Sequence, residues 1–354
     1  MRKTSVGVLG ATGMVGQRFI QLLSGHPNFE LKELTASKKS AGERYEKVAK
    51  WYLDTDMPSE VKDKEVKETS VESVEDVDIV FSALPSSAAD KVEPEMAEAG
   101  KIVASNASSY RMEPDVPLMI PEINPDHLNF IEEQRENRGW SGAIVTNPNC
   151  STIILLLALK PIMDEYGINR VFVCTMQAVS GAGYSGVKSM EILDNMIPYI
   201  SKEEWKTENE PLKILGTYSD GEVDSADIEV SASCNRIPVL DGHTESVFLE
   251  LEESASPTDV KKTLGEFEGE PQKLDLQTAP ENPVIVTEEE DRPQPRFARD
   301  AGEVPGMSVV VGRVREDDVF NNGIRFLVSG NNIVRGAAGA SILNAELMNA
   351  KNII

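Results

Sequence analysis

The residue in this sequence best suited to nucleophilic chemistry is Cys150. It follows Asn147-Pro148-Asn149 and precedes Ser151-Thr152 and an apolar run at residues 153–159. This run predicts a largely buried helix that carries the thiol in its first turn and ends near Gly167. A helix N-terminus stabilises a thiolate, and its free N–H groups can bind the oxyanion of an acyl intermediate. The alternative for a lone cysteine is a small buried hydrophobe.

A nucleophilic thiol needs a proton-transfer partner, and the sequence offers three histidines. His26 precedes a proline at a predicted helix end and His127 stands at a predicted helix start, so we expect both at surface or capping positions. His243 lies in NRIPVLDGHTES (235–246), where it and Arg236 bracket a short apolar turn. His243 is therefore the candidate acid/base residue, and a loop histidine without a partner is the alternative.

The sequence at the start of the chain predicts a strand, a glycine turn and a helix. Residues 5–9 (SVGVL) predict a buried strand, and residues 17–23 predict a helix that Gly25 closes. Glycines between them allow the backbone to approach a pyrophosphate at the helix N-terminus. The spacing is GxxGxxG instead of GxGxxG, so a tight turn in another α/β protein is the alternative. The candidate cofactor-binding residues of this turn are Gly10, Thr12, Gly13, Met14 and Val15.

The second predicted strand, residues 29–36, points to the type of cofactor. An NAD enzyme places an acidic residue at the end of this strand, where it binds the ribose hydroxyls. Here the chain continues as SKKS (37–40), with hydroxyls and cations instead of an acid. Ser37, Lys38 and Ser40 therefore suit a 2′-phosphate and favour NADP, with a solvated lysine loop as the alternative.

Further strands and helices alternate along the first half of the chain. Apolar runs at residues 77–84, 101–104 and 143–146 predict strands, and a helix between the first two stops at Gly100. The polar segment 41–76 looks like an insertion with short strands. This alternation predicts a parallel, doubly wound α/β sheet.

Composition limits the classes of function. The 354 residues include 59 acidic and 35 basic side chains, a formal charge of −24, with 40% hydrophobic residues. The hydrophobic content is typical of a globular chain with a large core. The charge repels nucleic-acid phosphates and anionic lipid, so we expect neither nucleic-acid nor membrane partners.

We expect a cytoplasmic protein with free thiols. The sequence shows no apolar stretch long enough to span a membrane and no signal-peptide pattern at its start. Three cysteines are too few and too widely spaced for a disulfide framework or a zinc site. Cys174 and Cys234 lie in strand-like patterns, so we interpret both as core residues, and we expect no metal.

Seven motifs in order resemble the aspartate-β-semialdehyde dehydrogenase family, in particular its archaeal and fungal branch. They are GATGMVG (10–16), SNASSYRM (105–112), PEIN (121–124), NPNCST (147–152), QAVSGAG (177–183), NRIPVLDGH (235–243) and SGNNIVRGAAG (329–339). The resemblance implies an NADP-binding Rossmann domain (1–149) that is completed by a C-terminal helix (330–354). It also implies an α/β catalytic and dimerisation domain (150–329), as in glyceraldehyde-3-phosphate dehydrogenase, and a homodimer or homotetramer.

The resemblance further implies a reaction and a set of roles. The reaction is NADP-dependent interconversion of 4-phospho-aspartate with aspartate 4-semialdehyde and phosphate, through a thioacyl enzyme. Cys150 would be the nucleophile, His243 the acid/base catalyst and Gln177 the residue that orients the acyl group. The remaining implied contacts are Arg236 with the substrate α-carboxylate, Arg111 and Lys213 with phosphate, Glu210 with the substrate amine and Asn332 with the nicotinamide side.

Several alternatives stay open. Glu210 and Lys213, three residues apart on a predicted helix, could form an ordinary surface pair. Malonyl-CoA reductase shares the fold, the cysteine and the histidine but needs no amine contact, and N-acetyl-glutamyl-phosphate reductase matches the motifs less well. A different class is a catalytically silent NADP-binding regulator, for which Cys150→Ala would leave function intact.

Overall fold

The first half of the chain forms a six-stranded parallel sheet. The computed structural model describes residues 3–184 and 186–354. The strand order is β3-β2-β1-β4-β5-β6, which is the doubly wound order of dinucleotide-binding sheets. These strands are β1 Thr4–Leu9, β2 Phe29–Ala36, β3 Lys67–Glu68, β4 Ile79–Ser82, β5 Ile102–Ser105 and β6 Ala143–Thr146. The predicted parallel α/β sheet is confirmed, and we refer to this part as the parallel-sheet domain.

Helices connect the parallel strands. They are α1 Met14–Leu23, α2 Tyr45–Val48, α3 Ser59–Lys62, α4 Ser86–Glu98 and α5 Phe130–Arg138, with 3₁₀ turns at Glu72–Val74 and Pro125–Asn129. Gly25 and Gly100 follow α1 and α4 with positive φ angles of 73° and 87°, which is why these helices end where the glycines predict. The polar segment 41–76 contains mainly short helices, because its scattered apolar residues support only the two-residue strand β3.

The second half forms a six-stranded mixed sheet, the mixed-sheet domain, with the order β10-β7-β11-β14-β13-β12. Its strands are β7 Ile168–Gln177, β10 Glu229–Arg236, β11 His243–Leu251, β12 Val284–Val286, β13 Val309–Asp317 and β14 Gly323–Gly330, with the hairpin β8 Thr217–Ser219 and β9 Glu222–Asp224 beside them. Its helical segments are α6 Cys150–Tyr166, the 3₁₀ turn Val179–Ala182, α7 Ser189–Ile192, α8 Glu203–Ile214, α9 Pro257–Gly265, α10 Glu270–Lys273 and α11 Pro295–Ala298.

Helix α6 is the centre of the larger hydrophobic core. Residues 153–159 are all fully buried, as expected for a helix that is apolar on every side. The Asn149 side chain caps the helix by accepting the Ser151 N–H at 3.0 Å. Helix α6 therefore begins at Cys150 and ends before Gly167, as the sequence predicts.

The chain returns to the parallel-sheet domain at its C-terminal end. A π-helical segment, Val334–Ala338, leads into α12, Gly339–Ala350. Apolar residues of α12 such as Ile342 and Leu347 belong to the same hydrophobic cluster as strands β1 and β4. The predicted division at residues 149 and 330 stays a prediction.

The π-helical segment also approaches the nucleophile candidate. A Cβ atom on Gly336 would lie 2.6 Å from Cys150 Cβ, so only glycine fits there. Its neighbour Arg335 forms a bidentate ion pair with Glu122 at 2.8 and 2.6 Å, and neither side chain is exposed. This pair fixes the segment beneath Cys150 to the loop that precedes α5.

None of the helices in the described ranges, 3–184 and 186–354, has the length and apolar character to cross a membrane.

The Arg335 and Glu122 pair generates a stability prediction. Arg335→Met leaves a buried carboxylate without its partner, which costs about 3 kcal/mol or more. Adding Glu122→Leu removes that unpaired charge, so the double variant should recover part of the loss. Urea midpoints of the two single variants and the double variant measure this, and strictly additive losses would contradict it.

Candidate active site

Three predicted site residues lie in one row across adjacent strands. Arg236 and Gln177 are paired across β10 and β7, and the pairing of Thr244 with Met176 brings His243 beside Gln177. Residues at the same register position on neighbouring strands point to the same face of a sheet. The register therefore brings together Arg236, Gln177 and His243 below the first turn of α6.

The backbone of Ala178 orients two members of this row. Its N–H donates to His243 Nδ1 at 3.1 Å, and its carbonyl accepts from Arg236 Nη1 at 2.7 Å. A Cβ atom on Gly181 would lie 2.7 Å from Arg236 Nη1 and 3.1 Å from His243 Cε1. The glycine in the motif QAVSGAG therefore allows the loop to fold over both side chains.

Cys150 and His243 form the reactive pair. The Cys150 Sγ atom lies 3.2 Å from His243 Nε2. Because Nδ1 accepts the Ala178 N–H, Nε2 carries the proton of the neutral ring and donates toward the sulfur. Burial, followed by the charge of Arg236, lowers the pKa of His243 to about 3, which also favours the neutral ring.

The predicted stabilisation of a thiolate is opposed by burial. Burial, followed by the Glu203 carboxylate, raises the pKa of Cys150 to about 12, while Lys206 and Arg236 act in the opposite direction. The helix N-terminus is where the sequence places it, and desolvation has the largest effect on the pKa of the sulfur. The thiol form is therefore favoured at neutral pH until a positive charge approaches the sulfur.

Two carboxylates of α8 hold the residue before the nucleophile. Glu203 Oε2 accepts the Asn149 side-chain amide at 2.8 Å, and Glu210 Oε2 accepts the Asn149 backbone N–H at 2.6 Å. Glu203 and Glu210 are seven residues apart and so lie on one helix face. Sequence reasoning missed Glu203, because an acidic residue in a polar helix gives no signal of burial.

Glu203 also connects Gln177 to a cation. Its carboxylate accepts from Gln177 Nε2 at 3.3 Å and from Lys206 Nζ at 2.6 Å. Burial acts to raise the pKa of Glu203, but Lys206 and the amide donors lower it further, so the net shift is downward. Lys206, which the sequence analysis did not single out, is the cation that keeps this carboxylate charged beside Cys150.

Arg111 reaches the site from the loop after β5. Its Nη1 donates to Glu210 Oε1 at 2.9 Å and its Nη2 to the Asn106 carbonyl at 2.9 Å. Glu210 is thus engaged by Arg111 and by Asn149, and it is almost fully buried. The open alternative of a surface pair is wrong for Glu210, because the carboxylate faces Arg111 and not Lys213.

Lys213 lies behind this loop. Its ammonium donates to the carbonyls of Arg111, Glu113 and Val116 at 3.0, 2.7 and 2.8 Å. Burial lowers the pKa of Lys213 to about 8, while Asp115 and Glu113 act to raise it. All three ammonium protons are used, so in this arrangement Lys213 positions the Arg111 loop and does not point at a phosphate.

The glycine turn adopts the geometry of a phosphate-binding loop. Gly10 has a φ angle of 78°, and a Cβ atom on Gly16 would lie 2.2 Å from the Gly10 carbonyl oxygen. Met14 and Val15 form the first turn of α1, before the hydrogen bond that the Gln17 N–H donates to the Gly13 carbonyl, so their N–H groups have no acceptor within the helix. This cradle fits a dinucleotide pyrophosphate.

The other candidate cofactor-binding residues lie in two places, directly after β2 and directly after β14. Ser37 and Lys38 are exposed after β2, where Lys38 Nζ is 3.4 Å from Glu68, and Ser40 is half-buried. Asn332 is buried and bridges the two loops of the site, accepting the Gly242 N–H and donating to Ser180 Oγ, both at 2.9 Å. Asn332 therefore fixes the loop that precedes His243.

His26 and His127 do not lie at the surface or capping positions that the sequence predicts. His26 is buried and its Nε2 lies 2.9 Å from Glu346 on α12, and His127 is fully buried. The expectation of surface or capping positions is wrong for both, because long-range packing covers them. Of the two cysteines interpreted as core residues, Cys234 is buried and Cys174 is half-buried.

A metal site is not found within residues 3–184 and 186–354, where no group of three or more His, Cys, Asp or Glu side chains could hold an ion.

A buried carboxyl group lies next to the row of Arg236, Gln177 and His243, which we call the reactive row. Glu245 is two residues after His243 on β11, has no exposed surface, and neither of its oxygens has a hydrogen-bond partner in the described part of the chain. Burial raises its pKa well above the ordinary value, with a smaller opposing effect from the nearby Ser151 hydroxyl. Burial therefore favours the neutral form of Glu245, near the first turn of α6.

Glu245 generates a prediction for the pH dependence of stability. Its folded-state pKa is raised, so its contribution to stability is complete below the unfolded pKa of about 4.3 and is lost as the pH rises. Glu245→Gln removes this loss and should raise the melting temperature relative to the parent protein, by roughly 1–2 °C or more at pH 8 and less at pH 5. The exposed Glu136→Gln variant is the control, and an equal shift at both pH values would contradict the prediction.

The fold and site together define a class of protein. A doubly wound nucleotide-binding sheet lies beside a mixed sheet that presents a cysteine and histidine pair, as in dehydrogenases that act through a thioacyl enzyme. Residues 5–131 match the family model of the semialdehyde dehydrogenase NAD binding domain, and residues 159–335 match that of the semialdehyde dehydrogenase dimerisation domain. The chain belongs to the semialdehyde dehydrogenase family.

Curated relatives and solved structures agree with this assignment. Aspartate-semialdehyde dehydrogenase of Methanothermobacter thermautotrophicus is 61% identical over 98% of this chain and 99% of its own length. The NADP-dependent malonyl CoA reductase of Metallosphaera sedula is 41% identical over 100% of this chain and 99% of its own length. The crystal structure of aspartate semialdehyde dehydrogenase with NADP from Candida albicans superimposes with a TM-score of 0.91, at 43% identity over the whole of both chains.

Proposed function

We propose that this protein is an NADP-dependent aspartate-semialdehyde dehydrogenase that reduces 4-phospho-aspartate to aspartate 4-semialdehyde. The observation that carries the proposal is the 3.2 Å contact of Cys150 Sγ with His243 Nε2. The 61% identity to the Methanothermobacter enzyme over nearly the full chain supports the choice of substrate. A cysteine and histidine pair of this kind can form and break a thioester, which is the chemistry that the proposed reaction requires.

The chemistry proceeds in two steps on the sulfur. The Cys150 thiol gives up its proton and its sulfur attacks the acyl carbon of the substrate. The carbon–oxygen bond to phosphate breaks, and inorganic phosphate leaves with the electron pair and takes up that proton. Hydride, which bound NADPH supplies, adds to the thioester carbon, and the carbon–sulfur bond then breaks to give the aldehyde and the thiolate. The His243 Nε2–H is directed at the sulfur, so it can donate to the oxygen that becomes negative on the adjacent carbon.

Charged residues of the site are placed to bind the α-carboxylate at one end of this substrate and the phosphate at the other. Arg236 would hold the α-carboxylate, because its planar guanidinium favours bidentate contacts and lies in the same row as His243. Arg111 would meet the phosphate, with Lys213 acting through the loop that it supports. Glu210 would reach the substrate amine only by giving up a contact with Arg111 or Asn149.

NADP is the proposed cofactor. Ser37, Lys38 and Ser40 follow the second strand, where hydroxyls and a cation suit the 2′-phosphate. The glycine turn of Gly10 and Gly13 would receive the pyrophosphate at the N-terminus of α1. The Candida albicans structure, solved with NADP, supports this choice.

Malonyl-CoA reductase is the second candidate, because a full-length relative carries that name. It would use the same cysteine and histidine with a thioester substrate and would need no contact with an α-amine. The identity of 61% to the Methanothermobacter aspartate-semialdehyde dehydrogenase, against 41% to this relative, favours the amino-acid substrate.

The reaction generates a direct kinetic prediction. With aspartate semialdehyde and NADP, absorbance of the reduced cofactor should increase only when phosphate is present. Cys150→Ala should abolish this turnover, by at least about 10³-fold, while NADPH binding is retained, because the thiol forms the covalent intermediate and does not contact the glycine turn. Turnover only with malonate semialdehyde and coenzyme A would favour the second candidate, and full activity of Cys150→Ala would indicate a silent regulator.

We further propose a homodimer or homotetramer that works in the cytoplasm. Residues 159–335 match a dimerisation domain, and exposed apolar side chains recur along residues 190–205. A patch of this kind is typical of an interface between subunits. The exposed apolar residues of the stretch are Met190, Leu193, Met196, Tyr199 and Trp205.

Light scattering tests the proposed interface. Leu193→Glu places a charge on this stretch and should shift the protein to a smaller assembly by at least tenfold in dissociation constant, because an unpaired charge is costly in a buried interface. Val319→Glu, which alters an exposed residue in the hairpin between β13 and β14, is the matched control. A monomeric parent protein, or equal effects of the two variants, would contradict the proposal.

A further inference from the structure

A hydrogen bond connects the two domains across the cleft between them. Tyr184 Oη donates to Gln17 Oε1 at 2.8 Å. Gln17 is on α1 of the parallel-sheet domain and has no exposed surface, whereas Tyr184 follows the 3₁₀ turn Val179–Ala182 of the mixed-sheet domain. A polar contact between residues 167 positions apart in sequence is therefore formed beside the glycine turn.

The Gln17 amide has a single orientation. Its Nε2 donates to the Thr12 carbonyl at 3.0 Å and the Lys50 carbonyl at 2.9 Å, and its Oε1 also accepts the Tyr52 N–H at 3.4 Å. Rotation of the amide by 180° would place its oxygen against two carbonyl oxygens, which is unfavourable. The amide therefore always presents its oxygen to Tyr184, and it uses its full capacity of two donors and two acceptors.

An aromatic contact supports the same arrangement. The rings of Tyr52 and Tyr184 meet edge to face, with 5.0 Å between their centroids and an angle of 68°. This geometry is favoured because the ring edge is positive and the ring face negative. Tyr184 is thus held by its ring as well as by its hydroxyl.

The loop that ends at Tyr184 begins at the reactive row. Ala178, its first residue, contacts His243 and Arg236, and Val179 and Ser180 donate their N–H groups to the carbonyls of Val239 and Leu240. A continuous path therefore runs from the Thr12 carbonyl in the glycine turn, through Gln17 and Tyr184, to His243 Nδ1.

This path borders a cleft of about 470 Å³ between the domains. The residues that line it include Met14, Arg18 and Tyr52 from one domain and Ser180, Tyr184 and Asn331 from the other. A cleft that begins at the glycine turn and ends beside Ser180 has the right position for the nicotinamide half of a dinucleotide.

We propose that Tyr184 and Gln17 are positioning residues that set the distance between the glycine turn and the loop of the reactive row, and thereby align a bound dinucleotide with Cys150. The proposal rests on the proposed function for its kinetic consequence, but not for its effect on cofactor binding. It needs no contact of Tyr184 with the reacting atoms, because the hydroxyl acts through Gln17 and the ring through Tyr52.

Tyr184→Phe tests the proposal with the smallest change. The variant keeps the ring contact and loses one hydrogen bond, so NADPH binding, measured by fluorescence titration, should weaken about fivefold. In turnover, the primary deuterium isotope effect with labelled NADPH should increase, because imperfect alignment makes hydride transfer more rate-limiting. The rate of Cys150 alkylation by iodoacetamide and the melting temperature should stay unchanged.

The matched control removes a hydroxyl that lies far from the cleft. Tyr166→Phe loses the 3.2 Å contact with Thr263 at the far end of α6 and should bind NADPH as the parent protein does. In the Gln17→Leu background, Tyr184→Phe should have little further effect, since the two residues act as one contact. Unchanged NADPH affinity of Tyr184→Phe, or fully additive losses in the double variant, would overturn the proposal.

Failure of the proposed function can be distinguished from failure of this inference. If the parent protein does not turn over aspartate semialdehyde, the substrate assignment is wrong, while the NADPH titrations of the four variants still test the contact. If turnover occurs and Tyr184→Phe has the affinity and isotope effect of the parent protein, the contact has no positioning role.

Discussion

His243, Gln177 and Arg236 lie together because β11, β7 and β10 are hydrogen-bonded in one register. A shift of any one of these strands by one residue would turn its own site residue to the opposite face of the sheet and remove it from the row. The same register places Glu245 on the same face, two residues along β11 from His243. It also leaves Ala178, the first residue after β7, free to hold two members of the row through its backbone. Strand pairing therefore decides which groups can reach Cys150.

The surroundings of the row are polar and deeply buried, and this combination determines the state of the nucleophile. Two carboxylates near the row are each neutralised by a specific neighbour: Glu203 by Lys206, and Glu210 by Arg111. Such pairs are retained against a large desolvation penalty only when hydrogen bonds complete them. The sulfur lacks an equally strong partner, so its pKa is raised, and ionisation is coupled to the arrival of a compensating charge.

The sequence predicts those parts of the structure that depend on local pattern. Strand β2 and the start of α6 follow from apolar runs with glycine or asparagine at their ends, and the cysteine and histidine pair follows from motifs. Contacts between distant residues of polar type could not be predicted. The pattern around Glu203 predicts a surface acid, and the sequence gives no sign that Glu346, 320 residues after His26, lies against that histidine. Periodicity reports which face of an element is buried, but not which partner covers a polar side chain.

The position of Gly336 against Cys150 has a consequence for the order in which the protein is made. A ribosome synthesises the nucleophile long before the glycine that packs beneath it, and domains fold from the N-terminus as they emerge. The thiol of an incomplete chain therefore lacks the packing of Gly336 until the last helices arrive. Completion of translation adds the final contact of the site, so Cys150 acquires its full surroundings only at the end of synthesis.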